Sequence, residues 1–390
     1  MFARKQTSFI KASSAFAFGL CASVLAAESL LHLIEATPLW HALPIVEREL
    51  GMADETLGYR FRINHQIINI RENRASVRTN SHGMRDSART LEKPASRYRI
   101  AVFGDSFTEA LQVKQTQTFL HLAERRINHT KRPAQVELLN FGMSGFGPLQ
   151  QLLHYQTTAE PFTPNQSLFI VNARDFLTEE LSNDASGPAY IETTDGGFSI
   201  GDQYRNSRVH RLKDTAVGRL FFWLMDHSRV ARAVFLKYRI GAVDTAPQTH
   251  LPATQTCQQI AQQLLAHARL WSENKPQNRA RRIEKLLHDF QRSQIIKPSF
   301  AIYGLPIAPV ECATERRQRD NIVADISHKL RDAGIHLIDI EAAVGEHIPM
   351  DLSPRQLLGF GVATGGGHLN VLGHEVWSKA LTAKIQALID

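Results

Sequence analysis

The sequence predicts an α/β protein with a parallel sheet covered by helices on both faces, a three-layer α/β/α arrangement. Three observations carry that reading. Short runs of β-branched and aromatic residues recur along the chain, segments of helical period separate them, and several runs end on glycine or a polar turn. Strands that alternate with helices of crossover length make parallel sheets. The composition agrees, since 390 residues with 43% hydrophobic and 21% charged fit a globular chain with a sizeable core. It excludes disordered and collagen-like classes, and three cysteines exclude a disulfide scaffold.

The elements follow in order. Residues 1–38 begin with Arg4, Lys5 and Lys11, run uncharged from Ala12 to Ala27, and continue apolar after Glu28 to Ile34. About 20 such residues cross a bilayer, so this is expected to be a cytoplasmic tip and a single-pass transmembrane signal-anchor. The positive-inside bias places the body outside, in the periplasm of an inner-membrane protein. The alternative is a signal peptide cleaved near Val24-Leu25-Ala26, which would release a secreted protein. Residues 39–95 form a lead-in rich in Arg, Asn and His, read as irregular or short-stranded.

From residue 96 to 390 the strand–helix rhythm sets in. Strands are expected at 99–103, 136–141, 167–172, 299–305 and 335–340, and helices around 119–123, 148–156, 316–333 and 371–388. An insertion at about 184–298 interrupts them, with helical spacing at 217–224, 230–238, 257–271 and 282–290. Cys257 and Cys312 are a candidate disulfide in an oxidising compartment, or else two unpaired core residues.

The net charge is 45 − 38 = +7, and the stretch Arg205–Ile240 alone holds nine Lys/Arg against two acids. Such a stretch suits anionic lipid or an acidic glycan, or is simply a solvated helix face. Nothing in it calls for a nucleic-acid partner. No cofactor or metal is expected, because the 17 histidines are scattered, His368 and His374 do not share a helical face, and no phosphate-binding glycine loop follows a strand.

Chemistry concentrates at two places. Gly104-Asp105-Ser106-Phe107-Thr108-Glu109 follows the first sheet strand directly, so Ser106 sits at the strand's C-terminal edge, where open α/β sheets place ligands. Gly365-Gly366-Gly367-His368-Leu369-Asn370 precedes the last helix, with Asn370 as its N-cap. The two loops share one sheet edge, which makes a serine–histidine couple reasonable; His374 reads as structural.

These blocks, together with Asn140-Phe141-Gly142-Met143-Ser144-Gly145-Phe146-Gly147, a third strand ending near Asp175, and His368-Leu369-Asn370-x-x-Gly373-His374, resemble the SGNH (GDSL) hydrolase superfamily. The lead-in Thr79-Asn80-Ser81-His82-Gly83-Met84-Arg85-Asp86 is similar to that of its membrane-anchored bacterial members. The resemblance covers about 300 residues. It implies a flavodoxin-like fold, Ser106 as nucleophile, His368 as base, and an oxyanion hole built from the N–H groups of Ser106 and Gly145. Two positions depart from the family pattern. The third oxyanion donor falls to Asn172 or Arg174, and glycines 365 and 366 stand where the acid that orients the histidine is expected. A backbone carbonyl, or Asp105, Asp339, Glu341 or Asp351 from other loops, would have to substitute. The resemblance implies an esterase acting on an acyl or acetyl ester, such as an acetylated envelope glycan. The alternatives are an extracytoplasmic polysaccharide O-acetyltransferase or a non-catalytic glycan-binding relative.

Overall fold

The structure, a computed structural model, describes residues 2–35, 50–69, 72–130, 133–176, 187–206, 211–212, 215–240, 257–271, 277–304, 312–361 and 366–389. The sheet strands are β1 (Arg97–Gly104), β2 (Gln135–Gly142), β3 (Gln166–Asn172), β4 (Pro298–Tyr303) and β5 (His336–Asp339). The helices are α1 (Phe2–Glu35), α2 (Ser106–Glu109), α3 (Phe119–His129), α4 (Pro148–His154), α5 (Ala216–His227), α6 (Arg229–Ile240), α7 (Cys257–Trp271), α8 (Gln277–Arg292), α9 (Ala313–Asp332), α10 (Ile340–His347) and α11 (Val371–Ile389).

All five strands pair in parallel, in the order β5-β4-β3-β1-β2. This is the doubly wound order whose switch point lies between β1 and β3, the crevice where such sheets bind ligands. Both faces are covered, and alternate residues of β1 show it. Ile100 and Val102 join one apolar cluster with Phe119 and Ile127 of α3 and Trp377 and Leu381 of α11. Ala101 and Phe103 join the other, with Leu149 of α4, Phe290 of α8 and Ile326 of α9. A strand buried on both sides has no polar face, which is why these segments read as continuous apolar runs.

The helix expected at 148–156 stops at His154 and widens into a five-residue π turn, Tyr155–Ala159. There the Thr157 hydroxyl donates to the Leu153 carbonyl at 2.8 Å, a back-bond that loosens helical turns. The lead-in forms two short antiparallel hairpins, Gly51–Asp54 with Gly58–Phe61 and Gln66–Asn69 with Ala75–Arg78. Buried Arg99 at the start of β1 fastens neighbouring segments to the sheet. Its guanidinium donates to Glu137 at 2.6 Å, to the Leu91 carbonyl at 2.9 Å and to the Phe162 carbonyl at 3.0 Å. Cys257 and Cys312 are joined as a disulfide with Cα atoms 5.4 Å apart, linking the start of α7 to the N-cap of α9.

The chain divides into two compact units. Residues 50–207 and 248–390 contain the sheet, while residues 1–49 and 208–247 form a second unit with α1, α5 and α6. Within α1, Ser14–Ile34 has a mean hydropathy of 1.8 over its most apolar window, none of which is buried in the protein. By length and composition it can cross a membrane. Pro247 and Pro252, which break the helical spacing of the insertion in the sequence, lie outside the described residues.

Candidate active site

Ser106 opens α2, a single turn that folds back over the ends of β1 and β2. Two glycines make room for it. A Cβ on Gly104 would lie 2.0 Å from Thr108 Oγ1, and one on Gly142 would lie 2.6 Å from the Glu109 backbone nitrogen. Because Gly142 meets backbone rather than a flexible side chain, Gly142→Ala should displace the whole Ser106 turn. The expected cost is about 1–3 kcal/mol of overpacking. Urea melts of the variant beside the parent would check it.

Asp105 caps the turn. Its Oδ1 accepts the Phe107 N–H at 2.9 Å and its Oδ2 accepts the Tyr303 hydroxyl, tying the turn to the end of β4. Burial pushes the Asp105 carboxyl up and the Tyr303 hydroxyl well above its usual value. The Asn172 amide at the end of β3 packs against Gly304, whose Cβ would fall 2.4 Å from Asn172 Oδ1, and the amide bonds the Tyr303 hydroxyl. The side chain of Arg174 lies outside the described residues, as does Gly365.

Gly145 adopts φ +74°, with open space where a Cβ would stand. Its neighbour Ser144 is clamped from two sides, the hydroxyl donating to Glu109 and the carbonyl accepting from the Tyr59 hydroxyl. Glu109 is buried, and burial lifts its carboxyl to about 7 against the opposing pull of Ser144 and Arg85. No backbone carbonyl among the described residues accepts the Gly145 N–H. The Ser106 N–H, first in its helical turn, has no intrahelical acceptor.

His368 stands beside this turn, its ring 5.8 Å from that of Phe107. The residue it meets is Glu72, from the turn of the second lead-in hairpin. Glu72 Oε1 lies 2.6 Å from His368 Nδ1, and Glu72 Oε2 accepts the His368 backbone N–H at 3.0 Å. The bond to Glu72 raises the imidazole above its usual 6.5, and the same bond holds Glu72 below the usual carboxylate range. A glycine permits the approach, because a Cβ on Gly367 would sit 2.7 Å from Glu72 Oε2. Asn73 then pins the hairpin turn near α2, its Nδ2 donating to the Gln112 carbonyl at 2.8 Å.

The structure thus brings Ser106, Gly145 and His368 to one sheet edge and adds Glu72. Among the described residues no hydrogen bond joins Ser106 Oγ to His368, a contact that often tightens only with substrate bound. Asp339 is instead held by both terminal nitrogens of Arg319 at 2.7 and 2.6 Å and caps α10. Asp351 is exposed, and the carboxylate that meets His368 Nδ1 is Glu72 rather than Asp351 or Glu341. His374 is buried and accepts the Phe119 N–H at 3.2 Å through Nδ1; burial holds its imidazole down to about 3. Glu72 carries no spacing signal, since 296 residues separate it from His368. The one clue was negative, glycine where an acid was expected.

No protein-family model matches the chain, and no curated protein does. Among solved structures it is similar to an α/β hydrolase enzyme from the Lake Arreo metagenome, 12% identical, covering 75% of this chain and 96% of that one with a TM-score of 0.35. It is also similar to a lipase/acylhydrolase from Enterococcus faecalis (12%, 74% and 96%, TM-score 0.33). An acetylxylan esterase from Geobacillus stearothermophilus stands at the same distance (12%, 75% and 96%, TM-score 0.35). Likeness at that level carries nothing about the chemistry, which has to be read from the side chains.

Proposed function

We propose that this protein is a serine esterase of the SGNH type, anchored by α1 with its sheet unit outside the cytoplasm. The observation that carries the reading is the Glu72–His368–Ser106 arrangement at the C-terminal edge of β1. Ser106 Oγ attacks the ester carbonyl while His368 Nε2 takes its proton, and the N–H groups of Ser106 and Gly145 receive the oxyanion. Each such donor is worth roughly 3–4 kcal/mol in the transition state. Collapse expels the alcohol, protonated by His368, and leaves an acyl-enzyme that water hydrolyses by the same steps reversed. Glu72 keeps the proton on Nδ1, so that Nε2 faces the nucleophile as a base, and it stabilises the imidazolium that forms.

The substrate class proposed is an acyl or acetyl ester, with an acetylated envelope glycan as the first candidate. The Cys257–Cys312 disulfide supports an oxidising compartment for the sheet unit. The test is covalent labelling by a fluorophosphonate, which needs a nucleophilic serine and no knowledge of the substrate. The probe is expected to mark the parent at Ser106 and to leave Ser106→Ala unmarked. A parent protein that takes no label would favour the non-catalytic reading and end this one.

The pH profile is a second check. With its imidazole raised above 6.5, His368 is a neutral base only above that raised value. kcat/KM should therefore climb along an acid limb with a midpoint above 6.5, and Glu72→Gln should move the midpoint down. Stability follows the same pair. Glu72 contributes above its unfolded value and the contribution is lost as pH falls through its lowered one. His368 contributes below its unfolded value and the contribution is lost as pH rises through its raised one.

A further inference from the structure

We infer that α5 is a second membrane contact, lying with its apolar face in the leaflet entered by the C-terminal end of α1; the inference rests on the reading of α1 as a membrane span. The face is plain in the structure. Val217 is 75% exposed, Leu220 57%, Trp223 55% and Leu224 36%, at positions that line one side of a helix. Four large apolar side chains within about two helical turns are more than scattered surface residues, and a contiguous patch of this kind marks an interaction site.

The occupant follows from what shares the unit. α1 exposes Phe16, Phe18, Leu20, Leu25, Leu30 and Leu33, and α1, α5 and α6 belong to one compact unit. Glu28 holds these helices together. It is the only charged residue between Ser14 and Ile34, and its carboxylate accepts the Arg229 N–H at 2.8 Å, the Val230 N–H at 3.0 Å and the Ser228 hydroxyl at 3.0 Å. The Arg229 guanidinium lies 3.4 Å away. A carboxylate that would be costly in an apolar span thus caps α6, and satisfies the first N–H groups of that helix.

Depth follows from the spacing. Glu28 lies six residues before Ile34, about 9 Å along a helix axis. That sets the junction of α5 and α6 in the headgroup-side part of that leaflet, within about 9 Å of the end of the apolar run, a depth at which Trp223 can reach the interface that aromatic residues prefer. Charge points the same way. From 208 to 240 the sequence holds eight Lys/Arg against two acids, which suits anionic headgroups.

The test uses the full chain reconstituted in vesicles of phosphatidylethanolamine and phosphatidylglycerol, with and without lipids brominated along the acyl chain. Fluorescence of Trp223→Phe is subtracted from that of the parent to isolate the Trp223 signal. Co-flotation of protein and vesicles with a Trp223 signal roughly halved by the brominated lipid, and shielded from acrylamide, is the expected result. Co-flotation with Trp223 indifferent to brominated lipid and open to acrylamide would overturn this inference and leave the α1 anchor standing. A signal shielded from both quenchers would mean that protein, such as a second copy, covers the face, and would overturn it as well. Loss of flotation in the parent would remove the anchor and this inference together.

Discussion

Glu72→Gln should leave Ser106 and the fold in place and lower kcat by roughly 10²–10⁴, with little change in KM. A buried acid in this role is worth about four powers of ten when its amide is substituted, because the amide presents an N–H to Nδ1 and drives the proton onto Nε2. Glu72 is less enclosed than such an acid, its side chain being 30% exposed, so the lower part of the range is equally expected. Glu72→Asp keeps the charge but shortens the reach, and should recover part of the loss. Steady-state kinetics on a p-nitrophenyl ester would read all three proteins. A Glu72→Gln enzyme within about threefold of the parent would mean that the glutamate braces the loop without tuning the base.

The second large effect is on stability. Converting both Cys257 and Cys312 to serine should cost about 4 kcal/mol, the loop-closure entropy of a crosslink with a sequence separation of 55. Structure persisting in the unfolded chain would reduce that figure. The link matters because α7 and α9 both pack on the same sheet face, through Ile260 and Leu264 on one and Ile322 and Ile326 on the other. Equilibrium unfolding in urea, with and without reductant, would measure it. An unshifted midpoint in the double variant would show that packing alone fixes the two helices.

How far this could be read from the sequence depends on how locally each feature is encoded. The strands were legible because a parallel strand buried on both faces needs an unbroken apolar run, as in Ile100-Ala101-Val102-Phe103. Ser106, Gly145 and His368 stand out as candidates because each lies in a short motif tied to the end of one strand or the start of one helix. Strand order was not legible in any local window, since pairing between β1 and β3 is a tertiary choice, and came only with the flavodoxin-like fold that the resemblance implies. Glu72 was hidden for the same reason. It sits in an Arg- and Asn-rich stretch with no apolar period, in the turn of a hairpin, at φ +61°, and reaches His368 only once that hairpin docks. Residues 208–247 were read with the rest of the insertion, although they group with α1. The unpaired acid inside an apolar stretch, Glu28, was the available hint that something else must meet it.

The hairpin Gln66–Arg78 also bears on how the protein can be handled. A soluble version trimmed to begin near residue 96, where the strand–helix rhythm starts, would retain every sheet strand, Ser106 and His368. It would lose the lead-in residues Leu57, Phe61, Val77 and Met84 from one side of the core and, on the proposed mechanism, the carboxylate that orients the base. On the proposed mechanism the shortest functional piece of this chain therefore begins before residue 66, and weak activity in a trimmed protein would say nothing about the catalytic power of the full chain.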